Sequence, residues 1–303
     1  MRVDAHCHVY PPAYVEVLRA LPGGLPPGLP IPTIEDLRAH LERWEIGAAV
    51  VSLGPPGVFF GDAARATALA REVNEWMAAR VAEDSRLAAL ATLPLPDVDA
   101  SLAELEHALD VLGLDGVWLS TNVGGTYLGE PAFEELFAEL DRRGAYVLVH
   151  PAFPPYDAPL EWPVWLVELP FDTTRAFVQL LYSGTLDRYP NVRLQLSHLG
   201  GTVPFLADRI GSLVTRVPSF RAAIADEPAS YLSRVWYDTG LANVASAVEA
   251  TRAVAPAARI VFGTDWPYAA LPESGSDPAP ELAGLIDDAG VAALVPRFGK
   301  ETS

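Results

Sequence analysis

The chain has 303 residues, half of them hydrophobic, and a formal net charge of −18. That length can bury a large core, so one α/β barrel or two smaller domains would both fit. The acidic balance argues against nucleic acid or an anionic membrane surface as a partner, and no apolar run approaches the length of a bilayer span.

The first predicted element is a strand over Arg2–Val9, polar-studded and unlike a signal peptide. Alternate side chains of a strand share a face, so His6 and His8 point one way and Cys7 the other. Cys7 is the only cysteine. It excludes an internal disulfide framework, suits a reducing cytosol, and reads as a small buried residue on the outer face of that strand. A Pro/Gly-rich loop over Leu21–Pro32 follows, then a helix over Thr33–Trp44 that Thr33 and Asp36 would start.

From there strands and helices alternate. Strand Ala48–Leu53 leads to helix Ala63–Arg80, strand Leu87–Thr92 to helix Ser101–Leu112, and strand Gly116–Thr121 to helix Pro131–Arg143. Strand Tyr146–His150 precedes an apparent insertion over Pro151–Pro170, which carries Trp162 and Trp165, and then helix Thr173–Tyr189. The remaining strands are Arg193–His198, Val235–Thr239 and Arg259–Thr264, with helix Val244–Val254 between the last two. Gly47, Gly113 and Gly144 sit where helices should stop. Eight strands in a βα repetition predict a (β/α)₈ TIM barrel. We read residues 1–303 as one domain with loop insertions at about 10–32 and 151–170.

On this reading polar residues fall at strand ends. His6 and His8 end the first strand, His150 the fifth and His198 the sixth, and Asp265 follows the eighth. In a barrel these ends share one rim, where loops build the active site. Three neutral imidazoles and a carboxylate can hold a zinc-like ion, and a fourth histidine can act as a base beside it. Spacing does not say which of His150 and His198 is ligand and which is base. His40 and His107 lie within predicted helices and read as surface or packing residues, and Asp4 reads as structural. The only lysine is Lys300, near the carboxyl end, so Schiff-base, pyridoxal and P-loop chemistry lack their lysine. A carbamate bridging two metals is excluded in the same way, so metal chemistry should be mononuclear.

His6-x-His8, His150, Ser197-His198-x-Gly200-Gly201 and Gly263-Thr264-Asp265-Trp266-Pro267 resemble, in order and spacing, the amidohydrolase-related metalloenzymes typified by aminocarboxymuconate semialdehyde decarboxylase. Phe171-Asp172-Thr173-Thr174-Arg175, the run Ser183–Pro190 and Tyr237-Asp238-Thr239 are also similar to that family. The resemblance implies one divalent ion, Zn²⁺ or alternatively Mn²⁺, on His6, His8, His150 and Asp265, with His198 as the base. It further implies a homodimer or dimer-built tetramer, in which Arg209 of one copy reaches a neighbour's site and binds a substrate carboxylate; the alternative is a surface arginine paired with a helix carboxylate. Asn122 and Trp118 are pocket candidates, and Trp162 and Trp165 could wall an aromatic substrate, form a lid or make a subunit contact. The chain departs from the family near its carboxyl end, where Ala289-Gly290-Val291 stands in place of a Gly-Asn-Ala element, and in its Pro-rich loop after His8.

The expected activity is metal-dependent, non-oxidative decarboxylation of an aromatic or unsaturated cyclic carboxylic acid in the cytoplasm, with His198 moving protons and Asp265 serving as ligand and proton relay. The alternative is a hydrolase of a lactone, amide or ester on the same site. A barrel that binds metal without catalysis would carry a damaged constellation, and all five residues are present.

Overall fold

The structure, a computed structural model, describes residues 1–25, 28–155, 161–287 and 289–299. Its centre is one sheet of eight parallel strands, paired in sequence order: Val3–His8, Ala48–Ser52, Leu87–Thr92, Gly116–Ser120, Tyr146–His150, Arg193–Leu196, Trp236–Asp238 and Ile260–Val261. The first strand is brought against the chain that follows the last by Ala5 N–H to Phe262 O at 2.9 Å, Asp265 N–H to His6 O at 2.8 Å and His8 N–H to Trp266 O at 2.8 Å. The sheet is therefore a nearly closed TIM barrel.

Apolar residues alternate along the strands because both faces are buried. Ala49, Val51, Ala89, Ala91, Val147 and Val149 join the larger core under the helices. Their neighbours Ala48, Val50, Ala88, Leu90 and Leu148 fill the barrel interior with Trp118, and Val291, Leu294 and Val295 close its floor. Cys7 is fully buried in the outer core. Pairing between the first two strands slips between Asp4 and Cys7, so His6 sits in an irregular stretch of the kind found beside active sites.

The elements follow the sequence pattern with instructive differences. Thr33 and Asp36 form a reciprocal capping box on helix Ile34–Arg43, and Gly144 ends helix Glu134–Arg143 in the left-handed conformation. The sixth and eighth strands stop at Leu196 and Val261, earlier than expected. His198 takes a φ of 56°, and a left-handed residue cannot continue a ladder, which ends the sixth strand before it. The helix after the third strand starts at Val98, where Asp97 accepts from Ala100 N–H at 3.0 Å.

The expected insertions are more ordered than their composition implies. Pro12–Ala20 is a helix with proline in its first turn. The span 151–170 needs correction as a loop, because helix Val164–Tyr182 begins inside it and runs through Pro170. Sequence reasoning starts that helix after the proline, which lacks an N–H. The structure keeps Pro170 inside the helix, where Thr174 Oγ1 donates to its carbonyl at 2.9 Å. Gly201 approaches the same carbonyl so closely that a Cβ would stand 2.0 Å from it, which explains the second glycine of Ser197–Gly201. Residues 156–160 of this span lie outside the described residues. Among the described residues, no helix is long and apolar enough to cross a membrane.

Candidate metal centre

All five strand-end residues meet at the carboxy-terminal mouth of the barrel. His6 Nε2 lies 3.1 Å from His8 Nε2 and 3.1 Å from Asp265 Oδ1. His8 Nε2 stands 3.0 Å from the same oxygen and His150 Nε2 3.9 Å from it. Atoms 2.0–2.1 Å from a tetrahedral ion stand about 3.3 Å apart, so this spacing is that of a coordination shell. His198 meets the other oxygen, with Nε2 3.2 Å from Oδ2. The ligand atoms of His6, His150, His198 and Asp265 all lie within 4.8 Å of one another.

The outer nitrogens set the tautomers. His6 Nδ1 donates to Asp238 Oδ1 at 2.9 Å, and His150 Nδ1 donates to the Pro151 carbonyl at 2.9 Å. His8 Nδ1 is 3.1 Å from Ser52 Oγ. With its proton outside, His150 turns a bare Nε2 lone pair toward a carboxylate oxygen, and that nitrogen is buried with no hydrogen-bond partner. Lone pairs facing lone pairs repel unless a cation stands between them. The donor set therefore fits a divalent cation.

The electrostatics agree. Burial drives His150 down to about 3 and also lowers His8, so both are neutral near pH 7. Burial pushes His6 down too, but the charges of Asp238 and Asp265 override it and draw positive charge to the ring. Asp265 is pushed up by its own burial, yet the positive charge drawn to His6 and the hydrogen bond with His198 hold it well below the usual carboxylate range. His198 and Asp265 are both non-glycine residues at positive φ, the kind of strained backbone that surrounding structure sustains at functional sites.

Several supporting residues escaped the sequence reading. Asp238, fully buried, also accepts from Gln195 Nε2 at 2.7 Å, His198 N–H at 3.1 Å and Gly240 N–H at 3.0 Å. Its position at the end of the seventh strand was the available signal. Ser52, at the end of the second strand, follows the same rule. Asp4 is structural as expected, accepting from Thr264 Oγ1 at 2.6 Å and from Thr264 N–H at 3.0 Å.

Beside His150 opens a cavity of about 420 Å³, lined by Phe59, Leu95, Trp118, Asn122, Pro151 and Phe153 among others. The Trp118 ring centroid is 6.0 Å from that of His150. Trp118 Nε1 and Thr92 Oγ1 border this space buried and without a hydrogen-bond partner. Asn122 is engaged instead, donating to Asp172 Oδ2 at 3.1 Å and accepting from Gly125 N–H at 3.2 Å. Asp172 also accepts from Thr121 Oγ1 and from Tyr127 O–H, which fixes the loop after the fourth strand. No Arg or Lys is among the described residues lining the cavity. Arg209 is exposed at the start of helix Ala207–Arg216 and does not reach it. Trp162 and Trp165 are 68% and 62% exposed and do not line it either. His40 and His107 are in helical segments, with His40 buried against Trp266.

Residues 3–293 match the family described as Amidohydrolase. The chain belongs to this amidohydrolase family. It is 35% identical over 278 residues to 6-methylsalicylic acid decarboxylase of Penicillium expansum, covering 88% of this chain and 85% of that one. To 2-amino-3-carboxymuconate-6-semialdehyde decarboxylase of Dictyostelium discoideum it is 30% identical over 241 residues, 76% of this chain and 65% of the relative. The solved structure of an amidohydrolase II superimposes with a TM-score of 0.84 at 27% identity, covering 99% and 98% of the two chains. The amidohydrolase reading of the sequence is thus correct, and the chain takes its place among the carboxy-lyases of that superfamily.

Proposed function

We propose that the protein is a metal-dependent, non-oxidative decarboxylase of an aromatic carboxylic acid, with one ion per chain held by His6, His8, His150 and Asp265. The observation that carries the metal reading is the convergence of the three Nε2 atoms on a single oxygen, Asp265 Oδ1. His198 addresses the opposite oxygen, a position suited to a proton-transfer group beside the shell. Histidine–carboxylate sets suit zinc and accept manganese, and zinc is our choice. When bound, such an ion neutralises and orients the substrate's carboxylate and adjacent hydroxyl and lowers the pKa of coordinated water.

The protein's own residues supply the rest. The apolar cavity accepts a ring, with the Trp118 indole as one wall and its N–H free to donate to a ring substituent. With no Arg or Lys among the cavity's described residues, the substrate's negative charge has its counter-charge at the histidine end. As the carbon–carbon bond breaks, its electron pair stays on the ring carbon, carbon dioxide leaves, and a proton replaces it. His198, hydrogen-bonded to Asp265, is placed to move that proton. Relatives named for decarboxylation of 6-methylsalicylic acid and 2-amino-3-carboxymuconate semialdehyde support this chemistry over hydrolysis.

The expected homodimer remains part of the proposal. Phe205, 86% exposed just ahead of the helix that bears Arg209, gives a second copy an apolar contact. Arg209, free of the cavity of its own chain, would then serve a partner's substrate. The deciding experiment incubates the zinc-loaded protein with 6-methylsalicylate and related hydroxybenzoates and follows carbon dioxide. Release that a chelator abolishes supports the proposal. Ring opening or ester cleavage with no carbon lost would instead assign the hydrolase.

A further inference from the structure

At the floor of the barrel, opposite the metal centre, Arg193, Arg234 and Arg259 line a cavity of about 130 Å³ with Trp236. The chain carries 39 acidic residues against 21 Lys and Arg, yet no Asp or Glu is among the described residues lining this space. Arg193 spends Nε and Nη1 on the carbonyls of Gly144, Ala293 and Leu294. Arg234 gives Nη2 to the Leu186 carbonyl and lies over the Tyr231 ring. Arg259 stacks on Trp236, its guanidinium carbon 3.5 Å from the ring centroid. None of the three is paired with a carboxylate among the described residues.

Two donors in this cluster go unmet. Arg259 Nη1 and Trp236 Nε1 are buried without a hydrogen-bond partner, and Trp236 is only 7% exposed. Burial pulls Arg193 and Arg259 below the usual guanidinium range, a cost that no carboxylate offsets. Three like charges around one small cavity with unmet donors form a cradle for negative charge, and guanidinium forks match the oxygens of phosphate and carboxylate.

We propose that this cavity binds a small oxyanion of phosphate or carboxylate type, held by Arg234, Arg259 and the indole N–H of Trp236. The residues around it open the sixth, seventh and eighth strands, so the anion would fasten the starts of three neighbouring strands. Because it would bind only the folded chain, it would raise stability by mass action.

The test titrates the metal-loaded full chain by calorimetry with inorganic phosphate, and separately with acetate at matched ionic strength, and follows thermal unfolding in each. Saturable binding with a raised midpoint is expected for at least one, and the preferred anion identifies the source. Affinity should fall tenfold or more in Arg234→Gln/Arg259→Gln and about threefold in Trp236→Phe, and stay unchanged in His8→Ala/His150→Ala. Absence of saturable binding by either anion overturns the proposal. So does binding lost in the histidine double variant and kept in the arginine one, which would put the anion on the metal. If the arginine double variant does not fold, Arg234→Gln and Trp236→Phe carry the comparison, and parental affinity in both overturns it.

Discussion

Asp238 Oδ1 holds His6 Nδ1 at 2.9 Å, which turns Nε2 toward Asp265 Oδ1, 3.1 Å away. A carboxylate behind a ligand histidine raises its basicity and locks its ring. Asp238→Ala should therefore weaken metal affinity by about 10–100-fold while the fold survives. Chelator competition on the purified variant measures this directly. Unchanged affinity would remove Asp238 from the metal centre's support.

His198 touches Oδ2 of Asp265, whereas His6, His8 and His150 gather at Oδ1. His198→Ala is expected to keep its metal and lose about 10²–10⁴ in turnover, the usual contribution of a general acid or base. His150→Ala is expected to lose metal as well. Metal analysis and single-turnover kinetics on the two variants separate the roles; metal loss in His198→Ala would make that residue a ligand.

Trp118 borders the cavity beside His150 and brings a buried donor with no partner. Removing this wall in Trp118→Ala should raise KM for a hydroxybenzoate roughly tenfold, equivalent to about 1.4 kcal/mol of lost binding. Trp118→Phe keeps the ring but not the N–H. A phenylalanine variant as impaired as the alanine one would show that the donor, rather than the surface, carries the effect.

His40 stands buried with its ring centroid 5.1 Å from that of Trp266, and its burial drives it down to about 4. The unfolded histidine titrates near 6.5, so as pH falls the unfolded chain takes the proton first. Stability from this group is complete above about pH 6.5 and drains away between about 6.5 and 4, by up to about 1.4 kcal/mol per pH unit. Urea midpoints across that window should fall more steeply for the parent than for His40→Leu. Parallel slopes would place the acid sensitivity elsewhere.

The barrel was legible in the sequence because strands buried on both faces read as short apolar runs, and Leu87–Thr92 and Tyr146–His150 have the predicted bounds. The five converging residues were legible because they sit at strand ends. Asp238 shares that position but passed as part of a strand signature, since nothing in one sequence marks an aspartate that grips a neighbour's ring. Pro170 misled in the opposite direction. A proline announces a helix boundary locally, but here the packing of Gly201 against its carbonyl keeps it inside the helix. The early end of the sixth strand, set by left-handed His198, is likewise tertiary in origin.

The backbone contacts that join His6 and His8 to Asp265 and Trp266 connect segments more than two hundred residues apart in the chain. During synthesis His6 and His8 leave the ribosome more than two hundred residues ahead of Asp265. A nascent chain therefore carries two and, once His150 is made, three imidazoles of the set before the carboxylate that completes it. On the proposed ligand set, full-strength capture of an ion would have to wait until the last strand docks on the first, so metal uptake would report barrel closure.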